Sequence, residues 1–103
     1  MLTLKKRAET EGIHLYFQPD LEDKTLTAIE KEAKRNGGFN IGCHYIIRRN
    51  GNLEKGISRD AYASPTYDAY QTCVCVVLTT EKITAAQKLT LKNLEKDLAL
   101  KVV

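Results

Sequence analysis

The sequence predicts an α/β domain with a central mixed β-sheet flanked by two main helices, and three observations carry that prediction. Asn50-Gly51 lies between two short apolar segments, the pattern of an antiparallel hairpin. Residues 72–78 form a nearly continuous apolar, β-branched run, the pattern of a strand buried on both faces. Leu26, Ile29 and Ala33, and later Leu91, Leu94 and Leu98, recur at helical spacing. The length of 103 residues fits one domain over residues 1–103 with one modest core.

The elements follow in order. Leu2 and Leu4, then Ile13 to Phe17, read as two short strands joined by the polar stretch Glu9 to Gly12. Pro19-Asp20 ends the second strand, because proline cannot donate to a ladder. Asp20 or Asp23 caps a first helix that runs to about Arg35 and is stopped by Asn36-Gly37-Gly38. Cys43 to Arg48 reads as a strand, Asn50-Gly51 as a two-residue turn, and Leu53 to Ile57 as the returning strand. Residues 58–71 form a loop that holds a proline and three tyrosines. Thr84 caps the last helix, with Gln87 placed to complete a capping box.

Composition excludes several classes. An apolar fraction of 43% with 28% charged residues is that of an ordinary globular protein. No apolar run is long enough to span a bilayer, and the first residues have no signal-peptide core, so the expected location is the cytoplasm. The net charge of +3 is spread along the chain with no long block of one sign, which argues against a DNA or RNA binder. Cys43, Cys73 and Cys75 are odd in number and two alternate within an apolar strand, so free, buried thiols are expected.

The stretch from Phe39 to Gly56, and within it Gly42-Cys43-His44-Tyr45-Ile46-Ile47-Arg48-Arg49-Asn50-Gly51-Asn52-Leu53-Glu54-Lys55-Gly56, resembles the hallmark strand-turn-strand of the zinc-dependent N-acetylmuramoyl-L-alanine amidases. That family includes small phage lysozymes and peptidoglycan recognition proteins. Residues 4–16, the Thr72 to Val77 strand and the Thr84-x-x-Gln87 helix start resemble the phage branch in the same order. The resemblance implies the family's sheet-and-helix fold, cut short at the C-terminus.

The resemblance also implies departures. Cys43 stands where the family keeps its catalytic tyrosine, and Tyr16 where it keeps the first zinc histidine. The remaining histidine and cysteine ligands would lie beyond the last helix, past Val103. Glu32-Ala33 replaces the family's Trp-His pair, and the family's loop histidine falls near Ala63 or Ser64, where this sequence has none. A catalytic zinc needs about three protein ligands and an open water position, so an inactive scaffold without metal or cofactor is expected. His14 shares the strand parity of Tyr16, and a rebuilt site from His14, Cys43 and a carboxylate is the alternative. His44 should face the other side of the sheet from Cys43, as a core histidine. Cys43 has no adjacent activating base in sequence and reads as a pocket-lining residue rather than a nucleophile.

The expected cleft is bounded by Tyr16, Cys43, the 58–71 loop and the start of the last helix. The candidate ligand-binding residues are Tyr16, Cys43, Arg48, Arg59, Tyr62, Tyr67 and Tyr70. Tyrosine faces stack on flat groups and arginine forks hold phosphate or carboxylate, which suits a small anionic ligand such as a cyclic nucleotide. Together with the phage resemblance, this reads as a viral protein that sequesters a host signalling nucleotide. Muropeptide binding is one alternative, a protein-protein role such as regulation of RNA polymerase another, and zinc amidase activity comes last. Apolar surface left uncovered by a shortened C-terminus predicts a homo-oligomer.

Overall fold

The computed structural model describes residues 9–35 and 41–103. The anticipated first strand at Leu2 and Leu4 and the helix stop at Asn36-Gly37-Gly38 lie outside them. The described chain runs β1 (Gly12–Phe17), a 3-10 turn (Pro19–Leu21), α1 (Leu26–Arg35), β2 (Tyr45–Ile47), β3 (Leu53–Lys55), β4 (Cys73–Leu78) and α2 (Ala85–Leu98). The strands form one four-stranded sheet in the order β1-β4-β2-β3. β4 pairs in parallel with β1 and with β2, and β2 pairs antiparallel with β3, so the sheet is mixed as predicted.

β4 occupies the interior place that its apolar run requires, and all six of its residues are buried. Its side chains alternate between two cores. Val74, Val76 and Leu78 pack with Ile13, Tyr45 and Ile47 against Leu91 and Leu94 of α2. Cys75 and Val77 pack with Ile46, Cys43, Ala63 and Tyr67 against Ile29 of α1. The helices therefore cover opposite faces of the sheet.

α2 starts with the anticipated capping box. Thr84 Oγ1 accepts from the Gln87 amide at 3.1 Å, and Gln87 Oε1 accepts from the Thr84 amide at 2.9 Å. Gln87 is fully buried and also donates to the Ile47 carbonyl at 3.2 Å, which ties the helix start to β2. α2 ends at Ala99, whose φ of 54° is left-handed.

Three local expectations change. α1 is capped by Thr25, whose hydroxyl accepts from the Ala28 amide at 3.1 Å, rather than by Asp20 or Asp23. Pro19 nucleates a 3-10 turn that takes up Asp20, and the helix begins only after it. The segment 43–48 forms regular strand only over Tyr45–Ile47.

The hairpin turn is longer than the Asn50-Gly51 dipeptide suggests. Arg48 donates to the Asn52 carbonyl at 2.9 Å and Gly51 donates to the Arg48 carbonyl at 2.8 Å, with Ile47 opposite Leu53. Only Gly51, at φ 88°, is left-handed, so the connection is a three-residue loop closed by a glycine bulge. A Cβ at Gly51 would stand 2.8 Å from the Ala86 carbonyl oxygen, so the bare backbone lets the turn sit on α2.

Candidate functional site

β1 sends His14 and Tyr16 to the α1 side of the sheet, with Gln18 just beyond its end. The 58–71 loop folds over the same side. It is held by Ser64 donating to the Gly42 carbonyl at 2.7 Å, and Ile57, just before it, donates to the Cys43 carbonyl at 3.0 Å. Gly42 has φ 86°, and a Cβ there would lie 2.9 Å from Ser64 Cβ, so only glycine permits this close approach.

His44 fastens the loop to the sheet. Its Nδ1 accepts from the Cys75 amide at 2.8 Å, and its Nε2 lies 2.7 Å from the Ala61 carbonyl oxygen. The two contacts together call for the neutral tautomer with the proton on Nε2. Its ring thus lies in the hydrogen-bonding plane beside β4, rather than projecting to the far face. Strand alternation does not govern Cys43 and His44, because β2 begins only at Tyr45.

Three of the anticipated site residues come together. The Tyr16 and Tyr67 rings are 4.8 Å apart between centroids, and Tyr67 and Cys43 share one buried cluster with Tyr16 packed against it. The Tyr16 hydroxyl donates to Asp68 Oδ1 at 2.7 Å and accepts from the Ala69 amide at 3.0 Å. Tyr67 donates to Gln18 Oε1 at 3.4 Å. His14 lies against Tyr16 with centroids 4.8 Å apart, and its buried Nδ1 has no hydrogen-bond partner.

Tyr70 packs against the same cluster as Tyr16, Cys43 and Tyr67, while Arg48, Arg59 and Tyr62 are not part of it. Arg48 is a structural tie: its guanidinium pairs with Glu54 and donates to the Leu21 carbonyl at 2.6 Å and the Glu22 carbonyl at 3.3 Å. Tyr62 and Tyr70 form an edge-to-face pair with centroids 5.9 Å apart, and Tyr70 also accepts from Gln71 at 2.9 Å. Arg59 lines a depression of ≈ 260 Å³ with Thr10, Asp60, Val74, Leu98 and Leu100. Val74 and Leu98 place that depression with the α2-side core.

Sequence reasoning missed Asp68 and Gln18. Gln18 was legible, since it continues the parity of His14 and Tyr16. Asp68 carried no signal, because its partner is 52 residues away.

The electrostatics describe a quiet site. Burial, then the bond to Asp68, pushes the Tyr16 hydroxyl up from its ordinary value. That same bond holds the Asp68 carboxyl below its usual range. Burial, then the neighbouring Cys43, raises Tyr67. Burial, then the neighbouring Cys75, pushes the Cys43 thiol up to about 12. Cys43 is thus a thiol at neutral pH and supplies no nucleophilic thiolate. Among the described residues no group of three or more His, Cys, Asp and Glu side chains is placed to hold a metal ion. His14 and Cys43 are not joined there into a metal centre, and the described donor set does not fit a catalytic zinc.

No family model matches the chain. It is 34% identical over 76 residues to an endolysin of Klebsiella phage KP32, a match that covers 70% of this chain and 50% of the endolysin. The chain thus spans about half the length of that relative. The endolysin N-acetylmuramoyl-L-alanine amidase LysCS of Clostridium intestinale has a similar fold, with TM-score 0.79 at 19% identity, covering 98% of this chain and 72% of that one. PGRP-Hd of Alvinella pompejana is similar at TM-score 0.78 and 13% identity, covering 98% of this chain and 76% of that one. The peptidoglycan recognition protein PGRP-SA of Drosophila is similar at TM-score 0.77 and 14% identity, covering 93% of this chain and 63% of that one. Sheet order, the two flanking helices, the hairpin motif and these likenesses agree, and the chain belongs to the family of N-acetylmuramoyl-L-alanine amidase-like and peptidoglycan-recognition-protein-like folds.

Proposed function

We propose that this domain binds peptidoglycan fragments, muropeptides, without hydrolysing them. The observation that carries the reading is Tyr16. It stands where the family resemblance puts the first zinc histidine, and both of its hydroxyl hydrogen bonds are made to the 58–71 loop. A phenol so engaged is a fixed wall of a binding surface. Cys43, at the catalytic-tyrosine position, is a buried thiol that neither donates a proton readily nor attacks. The likeness to peptidoglycan recognition proteins supports the ligand class.

The polar groups of the assembled site suit a sugar-peptide better than a phosphate. Asp68, Gln18 and the tyrosine hydroxyls offer acceptors and neutral donors for amide and hydroxyl groups. Among the described residues no arginine is part of the Tyr16–Tyr67–Asp68 cluster, and Arg48 is engaged with Glu54 and Leu21. A sequestered anionic nucleotide is the second reading. It draws on the Tyr62–Tyr70 pair and on Arg59, which shares their loop. Calorimetry with a soluble muropeptide and with a panel of cyclic nucleotides separates the two. Saturable heat with the muropeptide alone supports the proposal; heat with a nucleotide alone overturns it. Chelator-sensitive loss of cell-wall turbidity would overturn the non-hydrolytic part.

A further inference from the structure

The outer face of α2 carries a row of cations. Gln87, Leu91 and Leu94 are the buried residues of this helix and face the sheet. Lys88, Lys92 and Lys96 follow one another at one-turn spacing away from it, and all three are exposed. Among the described residues no ion pair engages any of them. The 13 acidic residues all fall within the described segments, so none of the chain's carboxylates is left to neutralise the row. The two acids of α2 are placed otherwise. Glu95 accepts from the Val102 amide at 3.2 Å, and Asp97 stands two turns after Thr90, on the flank that meets the hairpin turn. On the α1 side the lysines are matched: Lys24 pairs with Glu32 at 2.8 Å and Lys34 with Glu30 at 3.1 Å.

This row has an apolar centre. Leu89 is 65% exposed and shares the outer face, one turn before Lys92 and two turns before Lys96. The sequence holds no block of one sign, and it is the helical repeat that gathers these side chains onto one surface.

We propose that this face of α2 adsorbs to the surface of an anionic phospholipid bilayer, with Lys88, Lys92 and Lys96 against the headgroup phosphates and Leu89 entering the acyl boundary. Charge complementarity selects an anionic partner, and Leu89 selects among anionic partners. A hydrated polyanion rewards the lysines and leaves Leu89 in water, whereas a bilayer takes both. The lysine stems lie along the interface while their ammonium groups reach the phosphates. The contact stays at the surface, since no helix among the described residues is long and apolar enough to cross a membrane. The sheet separates α2 from the Tyr16–Asp68 site, so the adsorbed chain holds that site away from the lipid. Adsorption itself does not depend on what that site binds.

Co-sedimentation of the full chain with vesicles tests this, phosphatidylcholine alone against phosphatidylcholine mixed with phosphatidylglycerol. The expected result is binding to the mixed vesicles only, weakened by added salt. The triple variant Lys88→Gln, Lys92→Gln, Lys96→Gln weakens it about a hundredfold, at roughly fivefold per lysine. The triple variant Lys24→Gln, Lys31→Gln, Lys34→Gln removes the same charge from the α1 side and leaves binding largely unchanged. Leu89→Gln weakens binding several-fold with unchanged circular dichroism. No binding to the mixed vesicles overturns the proposal, as does equal binding to both vesicle types or equal loss from the two triple variants. Binding that ignores Leu89→Gln overturns the bilayer as occupant, and binding of inorganic polyphosphate then identifies a hydrated polyanion in its place.

Discussion

The Tyr16 hydroxyl donates to Asp68 across 52 residues of sequence, and the bond joins the end of an edge strand to the loop that roofs the site. Tyr16→Phe removes that bond and leaves the Ala69 amide without its acceptor. The expected loss of stability is about 1 kcal/mol, the usual scale for one partly exposed hydrogen bond. Urea denaturation measures it. The same variant should weaken muropeptide binding several-fold, because the loop is no longer held in register.

His44 has the larger structural role. Truncation to alanine strips the partners from the Cys75 amide and weakens the hold on the Ala61 carbonyl, both in a fully buried place. The expected cost is about 2–4 kcal/mol, because buried polar groups lose bonds and solvent cannot replace them. The midpoint of urea unfolding should fall accordingly, and the 58–71 loop should become sensitive to limited proteolysis.

Alkaline pH should destabilise the fold through Cys43. The Cys43 thiol has an ordinary value of 9.0 and is pushed up to about 12 in the folded protein. The unfolded chain therefore releases this proton first. Stability is whole below about pH 9 and is lost progressively as pH rises toward about 12. Tyr16 and Tyr67, both raised, add to the same limb. Thermal melts from pH 7 to 11 should show the decline, and Cys43→Ala should make it shallower.

At acid pH the sign is opposite. Asp68 is lowered by its bond to Tyr16, and Glu22 by its bonds to Thr79 and to the Arg49 amide. Both contribute stability that is present above their ordinary values of 3.8 and 4.5 and is lost as pH falls below them. Glu22→Gln should reduce the acid-limb slope of the melting temperature while leaving the alkaline limb unchanged.

Ala99 closes α2 in the left-handed region, where a Cβ is unfavourable. Ala99→Gly should stabilise the chain by about 0.5–1 kcal/mol, read from the same denaturation curves.

Much of this molecule was legible where sequence carries local physics. The β4 run could only be an interior strand, and Thr84 with Gln87 could only begin a helix, because both signals are complete within a few residues. The hairpin was legible in kind but not in loop length, since Gly51 supports either a two-residue turn or a glycine bulge. In the fold the turn at Gly51 sits against Ala86 and Thr90 of α2, contacts that sequence alone does not reveal. The site was half legible. Tyr16, Cys43 and Tyr67 do meet, but Arg48 is drawn to Glu54 and to the carbonyls of Leu21 and Glu22, partners set by tertiary folding. Asp68 enters the site only because the loop folds back onto β1.

The most direct test of the central claim is a nitrogen-15 spectrum of the chain titrated with a soluble muropeptide. The account predicts saturable shifts centred on Tyr16, Gln18, Tyr67 and Asp68, with Asn93 and Lys96 on the far helix unmoved. An unchanged spectrum at saturating muropeptide, or shifts confined to Arg59 and Tyr62, would contradict it.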